Sequence, residues 1–240
     1  TDLTIKENDL IVATQGRAFW ALDDLTVLQE KDSPGLNNNL HVFTVNPAYR
    51  SEGGGRRRNR GASGSLQNMG ENPLSGVVFN YHLKNANDSS KVSISIYDKQ
   101  SKLIKTFSSK AKDAADKLDV NEGLNQFAWD QNYPEGEKTD GMILWNGGVG
   151  AVKAAPGKYS ARFRYGKDSV DVPFVIKNNP NYKATEADYD AQVAFLLQVR
   201  DKFNEVQKGI KNLRSVRTQI NDFNAKQQKP LDKDIKLLAD

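Results

Sequence analysis

The sequence predicts a mainly β chain with a helical tail: an antiparallel β-sandwich, preceded by an N-terminal β-hairpin and followed by a long helix or helical hairpin. Three observations carry this. Residues 123–130 (Gly-Leu-Asn-Gln-Phe-Ala-Trp-Asp) and 155–165 (Ala-Pro-Gly-Lys-Tyr-Ser-Ala-Arg-Phe-Arg-Tyr) alternate large apolar and polar side chains. That period of two belongs to strands with one buried and one wet face. Between residues 77 and 176 several short runs of this kind are separated by turn chemistry, the pattern of a sandwich. Beyond Pro180 the period changes, and apolar residues recur at spacings of three and four, as on one face of a helix.

Taken in order, residues 9–14 and 17–22 flank Gln15-Gly16 and read as a tight hairpin with a two-residue turn. A lone hairpin is not stable in water, so this piece must pack on something. Residues 33–39 are loop, and 41–45 (His-Val-Phe-Thr-Val) make a short strand. Gly, Ser, Asn and Arg then dominate 46–75, which has too few apolar side chains to offset the cost of ordering and reads as a mobile linker. Strands follow at 77–84, 92–98, 103–108, 125–130, 158–165 and 169–176, with a helical turn expected within 110–122 and a Gly-rich passage at 136–150. The domains are therefore 1–45, 46–75, 76–178 and a helical arm at 183–240.

The arm opens with Thr185-Glu-Ala-Asp188, a hydroxyl three residues ahead of a carboxylate, which is an N-cap signature. Leu196, Val199, Phe203, Val206, Ile210, Leu213, Val216 and Ile220 then form one apolar stripe. Such a seam is expected to bury itself against a partner helix or the sandwich, or to join two copies of the chain. Pro230 suits the first turn of a second helix, and the short segment Leu231 to Asp240 is expected to continue beyond the last residue. At the other end the chain opens on Thr1 instead of Met, so a leader or a larger upstream part is expected to precede it.

Composition excludes several chemistries. With no cysteine there are no disulfides, thiolate nucleophiles or cysteine-ligated metals. The two histidines, His41 and His82, fall in different predicted strands, and no metal or cofactor is expected. No stretch approaches the ~18 apolar residues of a membrane span. Mean hydropathy is low, at −0.67, in keeping with long loops or a solvated arm beside a β core. The net charge of +4 has one source. Of 34 basic and 30 acidic residues, Arg50, Arg56, Arg57, Arg58, Arg60 and Glu52 lie within eleven positions, and the remainder holds 29 of each sign. A single basic loop without interleaved aromatics argues against nucleic acid; contacts to an anionic surface polymer are its sharper reading.

With these residues in view, residues 96–98 (Ile-Tyr-Asp), 104–107 (Ile-Lys-Thr-Phe), 123–130 and 155–162 resemble the immunoglobulin-like sandwich of the flagellar hook-capping protein and related bacterial C-terminal modules. Residues 8–25 look like the closing hairpin of a large β-propeller, similar to the ends of exported bacterial proteins with sortilin-type or neuraminidase-type repeats. The resemblance implies a periplasmic or secreted protein in which a propeller precedes a linker, a sandwich and a helical pair. The Ser-x-Asp-x-Gly-x-x-Trp box of those repeats is missing here.

Candidate residues for chemistry are few. Asp23, Asp24, Asp130 and Glu135 supply carboxylates, but a glycosidase pair needs a defined separation of roughly 5–9.5 Å that spacing cannot show. Among the tryptophans, Trp129 alternates in phase with Phe127 and reads as core, whereas Trp145 sits in a loop-like setting and is the candidate for holding carbohydrate. The function expected is a non-enzymatic accessory, docking or scaffold module whose partner is an upstream propeller domain or another protein. A second reading is the carbohydrate-holding accessory region of a glycosyl hydrolase of the neuraminidase-repeat type. A third is a structural module that assembles with copies of itself.

Overall fold

Alternation in the sequence becomes eleven strands and two helices among the described residues of a computed structural model, namely 1–50, 74–87, 89–144, 148 and 150–226. In chain order these are β1 (Asp2–Lys6), β2 (Asp9–Ala13), β3 (Phe19–Leu22), the single-turn α1 (Thr26–Gln29), β4 (Leu40–Val42) and β5 (Ala48–Tyr49). Then follow β6 (Val77–Leu83), β7 (Val92–Tyr97), β8 (Leu103–Ser108), β9 (Gly123–Trp129), β10 (Gly157–Tyr165), β11 (Asp168–Lys177) and α2 (Glu186–Lys226). The protein is thus mostly β-sheet with one long helix. It divides into two compact units, Thr1–Tyr133 with Lys153–Tyr189, and Pro134–Val152 with Asp190–Asp240.

Within the first unit the strands make three sheets, ordered β1-β2-β3, β4-β6-β9 and β5-β11-β10-β7-β8. The last two share one core in a sandwich-like arrangement. Val77, Phe79, Tyr81 and Leu83 on β6 meet Ile94 and Ile96 on β7, Ala161 and Phe163 on β10, and Phe174 and Ile176 on β11. Strict alternation aims these side chains at one another; β7 runs buried, half-buried, buried over its whole length.

Aromatic rings dominate the middle of this core. The Phe79 ring lies 5.6 Å from Phe163 and 5.3 Å from Phe174, both edge-on, and stacks on Phe127 at 6.1 Å. Edge-to-face contacts at these separations are the geometry that aromatic quadrupoles favour. Trp129 is fully buried against Tyr159 and Phe174, and its indole N–H donates to the Asn132 carbonyl at 3.2 Å. Just before β6, Gly76 has φ +110°, and a Cβ there would collide with the Trp129 carbonyl, so the close approach of β6 and β9 requires glycine.

Several differences from the sequence reading have physical causes. The N-terminal hairpin is one strand larger, because Leu3 and Ile5 alternate with Asp2, Thr4 and Lys6 and pair with β2. Its turn is longer than two residues: Ala13 and Phe19 form the last pair, and the Thr14 N–H donates to the Ala18 carbonyl at 3.1 Å. A two-residue turn of type I′ needs positive φ at both central positions, which Gln15 does not supply. Here Gly16 (φ +83°) and Ala18 (φ +58°) take the left-handed conformations instead.

The pairing is not purely antiparallel. β5 lies parallel to β11, with Ala48 opposite Ile176 and Tyr49 opposite Lys177. The segment 46–75, read as linker, therefore begins with ordered backbone. Arg50, counted with the basic loop, is buried: its Nε donates to the Ala154 carbonyl at 3.0 Å and its guanidinium lies 4.6 Å from the Tyr189 ring centre. The helical turn expected within 110–122 is a single 3-10 turn over Ala114–Asp116.

At the start of β10 the Tyr159 hydroxyl, in a buried setting, donates to the Ala155 carbonyl four residues upstream at 2.7 Å. Tyr159→Phe keeps the ring and strands the carbonyl. The expected loss of stability is about 1–2 kcal/mol, read as a lower midpoint in urea with an unchanged slope.

Candidate functional site

Two apolar surfaces, each traceable to strand or helix periodicity, and one polar junction stand out. The first surface is a face of the β1-β2-β3 sheet. Cross-strand partners point to the same side of a sheet. Leu3 pairs with Val12 and Ile5 with Leu10 across β1 and β2, and Leu10 pairs with Leu22 and Val12 with Trp20 across β2 and β3. One face of this sheet is therefore apolar at all six of these positions. It is largely uncovered: Leu3 is 66% and Ile5 62% exposed, Trp20 and Leu22 are also exposed, and Leu10 and Val12 are half-buried. An apolar patch this continuous on a soluble surface marks an interaction site more often than a random exposure.

The polar junction ties that sheet to the sandwich. Asp24 ends the strand region in a left-handed conformation (φ +57°) that Asp tolerates better than most residues. Its carboxylate accepts from the side-chain amides of Asn8 at 3.1 Å, Asn46 at 2.8 Å and Asn80 at 3.1 Å, and from the Thr26 N–H at 3.0 Å. Gln126 in turn donates to the Asn80 side-chain oxygen at 3.0 Å. The Asp24 N–H donates to the Asp9 carboxylate at 2.9 Å. Four donors converge on one anion, so its oxygens are committed to holding hairpin, α1, β6 and the chain at Asn46 together. This is an architectural carboxylate.

Other carboxylates considered from sequence are engaged locally. Asp130 accepts from the Asn132 backbone and side-chain N–H groups, and Glu135 pairs with Lys138 at 3.3 Å. Asp23 is exposed, and Asp130 and Glu135 belong to different units. Among the described residues no group of three or more His, Cys, Asp or Glu side chains could hold a metal ion. Tyr81 supplies no phenolate base at neutral pH, because burial, with a smaller push from Asp119, raises its phenol to about 12. Trp145 and Arg56, Arg57, Arg58 and Arg60 lie outside the described residues, as does Leu231 to Asp240.

The two histidines, assigned to separate strands from sequence, are brought face to face. His41 on β4 is directly opposite His82 on β6, and Glu30 approaches the His41 Nε2 at 3.8 Å. The only signal for this pairing was tertiary, since some forty residues separate the two strands. His41 Nε2 and His82 Nδ1 are buried without a hydrogen-bond partner. Burial lowers the His41 pKa below its ordinary value; Glu30 opposes this and His82 adds to it.

The start of α2, which belongs to the first unit, is capped as its sequence suggests: Asp188 N–H donates to the Thr185 hydroxyl at 3.2 Å and the Thr185 N–H to the Asp188 carboxylate at 2.8 Å. The Thr185 N–H, with its hydroxyl second, holds the Asp188 carboxyl below its usual range. The segment from Pro134 to Asp140 lies along one polar edge of the helix. The Glu137 N–H donates to Asn204 at 2.7 Å, Thr139 to Gln207 at 2.5 Å and Arg214 to the Asp140 carbonyl at 2.7 Å. Lys211 pairs with the Glu137 carboxylate at 2.9 Å and lowers its pKa.

Among the described residues this segment covers the polar edge, and most of the apolar stripe is exposed. Leu196, Val199, Val206, Leu213 and Val216 are exposed, Leu213 by 73%, while Phe203, Ile210 and Ile220 are half-buried. Among the described residues no helix is long and apolar enough to cross a membrane.

No model of a known protein family, no curated protein and no solved structure matches this chain.

Two tests follow from the junction and the histidine pair. Asp24→Asn keeps a residue that accepts positive φ but turns an amide toward amide donors. We expect a loss of about 1–3 kcal/mol and faster hydrogen exchange in β1–β3 than in β6. For His41, the folded state binds its proton less readily than the unfolded state, whose histidines titrate near ~6.5. Stability is then full above that pH and falls as pH drops toward the lowered folded value. Urea midpoints measured at steps between neutral and mildly acid pH should show this slope, and His41→Gln, neutral throughout, should flatten it while Glu30 and His82 remain.

Proposed function

We propose that this chain is a non-catalytic docking module, carried by an exported bacterial protein of the β-propeller type and working in the periplasm or outside the cell. The single observation that carries the reading is the open apolar face formed by Leu3, Ile5, Leu10, Val12, Trp20 and Leu22. Its occupant in this proposal is the β-structure of the propeller body, to which β1–β3 adds as outer strands. Three supports stand beside that observation. The sheet has free edges at β1 and β3 among the described residues. It is tied to the sandwich through the hydrogen bonds of Asp24. Residues 8–25 also resemble a propeller's closing hairpin.

The sandwich, in this proposal, is immunoglobulin-like. Two features support that: β6 and β9 pair in one sheet while β7, β10 and β11 pair in the other, and a short strand runs parallel to the last strand. The Tyr159 hydroxyl bonding back to the Ala155 carbonyl resembles the tyrosine corner of such domains and supports the same reading. Its role here is to carry the apolar sheet on a stable body.

The test uses the tryptophan on that face. Trp20 is partly exposed in the chain alone, and Trp129 is buried in the core. When the chain is produced in continuity with the protein's propeller body, Trp20 emission should shift to the blue and β1 amides should become protected. Ile5→Lys with Leu22→Lys should abolish both changes and leave the sandwich folded. Unchanged Trp20 emission and unprotected β1 amides in the longer protein would overturn the docking reading.

A further inference from the structure

The open stripe on α2 has a property that its heptad spacing alone does not give: it reads nearly the same in both directions. Placed antiparallel on a copy of itself, with the two-fold axis near Lys208, the helix sets Leu196 opposite Ile220, Phe203 opposite Leu213 and Val206 opposite Ile210, each pair occurring twice. On the neighbouring edge Phe195 meets Phe223, and Gly209 meets Gly209 at the axis. We propose that α2 is the interface of a symmetric dimer, in which the partner is a second copy of this chain lying antiparallel.

Four observations favour that occupant. Most of the side chains it uses are exposed: Phe195 is 64% exposed, Leu213, Val206 and Phe223 are exposed with it, and Phe203, Ile210 and Ile220 are half-buried. The polar edge carrying Arg200, Gln207 and Arg214 is already occupied by Pro134 to Asp140, which leaves the stripe and the Phe195–Phe223 edge as the open side. Arg217 selects the direction. A parallel pair would stack Arg217 on its own copy in the seam, two like charges in contact, whereas the antiparallel pair sets it against Val199, where its stem can lie on apolar surface and its head can reach water. Finally, a Cβ at Gly209 would touch nothing, so the backbone at the axis is accessible for close approach.

The size is sufficient. Ten apolar side chains per helix, each giving up on the order of 50–80 Å², bury roughly 1,000–1,600 Å² in total, within the range of specific interfaces. A two-fold contact of this kind closes on itself and makes a dimer, not a fibre.

The absence of cysteine makes the test clean. Sedimentation equilibrium of the full chain should show a monomer–dimer equilibrium, and Leu213→Lys with Val206→Lys should shift it at least ~10-fold toward monomer. Circular dichroism should remain unchanged, since both positions are exposed in the single chain. For direction, Phe195→Cys and Phe223→Cys proteins mixed and oxidised should cross-link to each other and not to themselves, and Gly209→Cys should cross-link to itself. A monomer at about 100 µM overturns the proposal. So does a dimer indifferent to Leu213→Lys with Val206→Lys, a self-cross-link of Phe195→Cys (a parallel pair), or a monomer whose seam is covered by its own residues 227–240.

Discussion

Everything in the first unit depends on burying the rings of Phe79, Phe163, Phe174 and Trp129 between two sheets. Rings of this size bury ~150–250 Å² each and far outweigh any surface ion pair in the same unit. Strand alternation can deliver them to one side, but only a second sheet can cover them. The requirement fixes the register of β6 against β9 and of β10 against β7, because a slip of one residue would turn Phe79 or Phe163 to solvent. It also fixes details at the margins. Glycine at position 76 lets β9 come close, and the Tyr159 hydroxyl, which cannot be buried without an acceptor, finds one at Ala155.

The same physics explains why two apolar surfaces remain uncovered. The β1-β2-β3 face and the α2 stripe have the periodicity of buried elements, yet within the chain the groups nearest to them satisfy other needs. Asp24 and its amide donors hold the small sheet by its end and not by its face. Pro134 to Asp140 satisfies the polar edge of α2 through hydrogen bonds and leaves the apolar row alone. Each surface is thus presented by side chains held in regular elements.

The strands of the sandwich were legible because their alternation is nearly faultless; Val92, Ile94 and Ile96 needed no tertiary information to be placed on one face. The α2 start was equally plain, since Thr185 and Asp188 are three residues apart and their bonds are local. Harder to read were features made by long-range contact. The parallel pairing of Ala48 and Tyr49 with β11 joins positions about 128 residues apart, and a two-residue strand has no pattern of its own. Arg50 sits beside a basic, Gly-rich run, and nothing local says that it turns inward to Ala154 and Tyr189. The turn after β2 is longer than the dipeptide Gln15-Gly16 suggests because Ala18 takes a left-handed conformation that no local pattern announces.

The sequence by itself determined which residues could lie on a common face, because periods of two and of three to four are geometric consequences of strand and helix. It therefore determined the core candidates, the apolar row on α2 and the absence of thiol chemistry. What covers each face was decided only by tertiary structure. The pairing of His41 with His82, the convergence of Asn8, Asn46 and Asn80 on Asp24, and the laying of Pro134 to Asp140 along one edge of α2 all join residues remote in the chain. Local periodicity carries no information about such meetings; they are set by which arrangement buries the aromatic core and leaves the fewest polar groups unpaired.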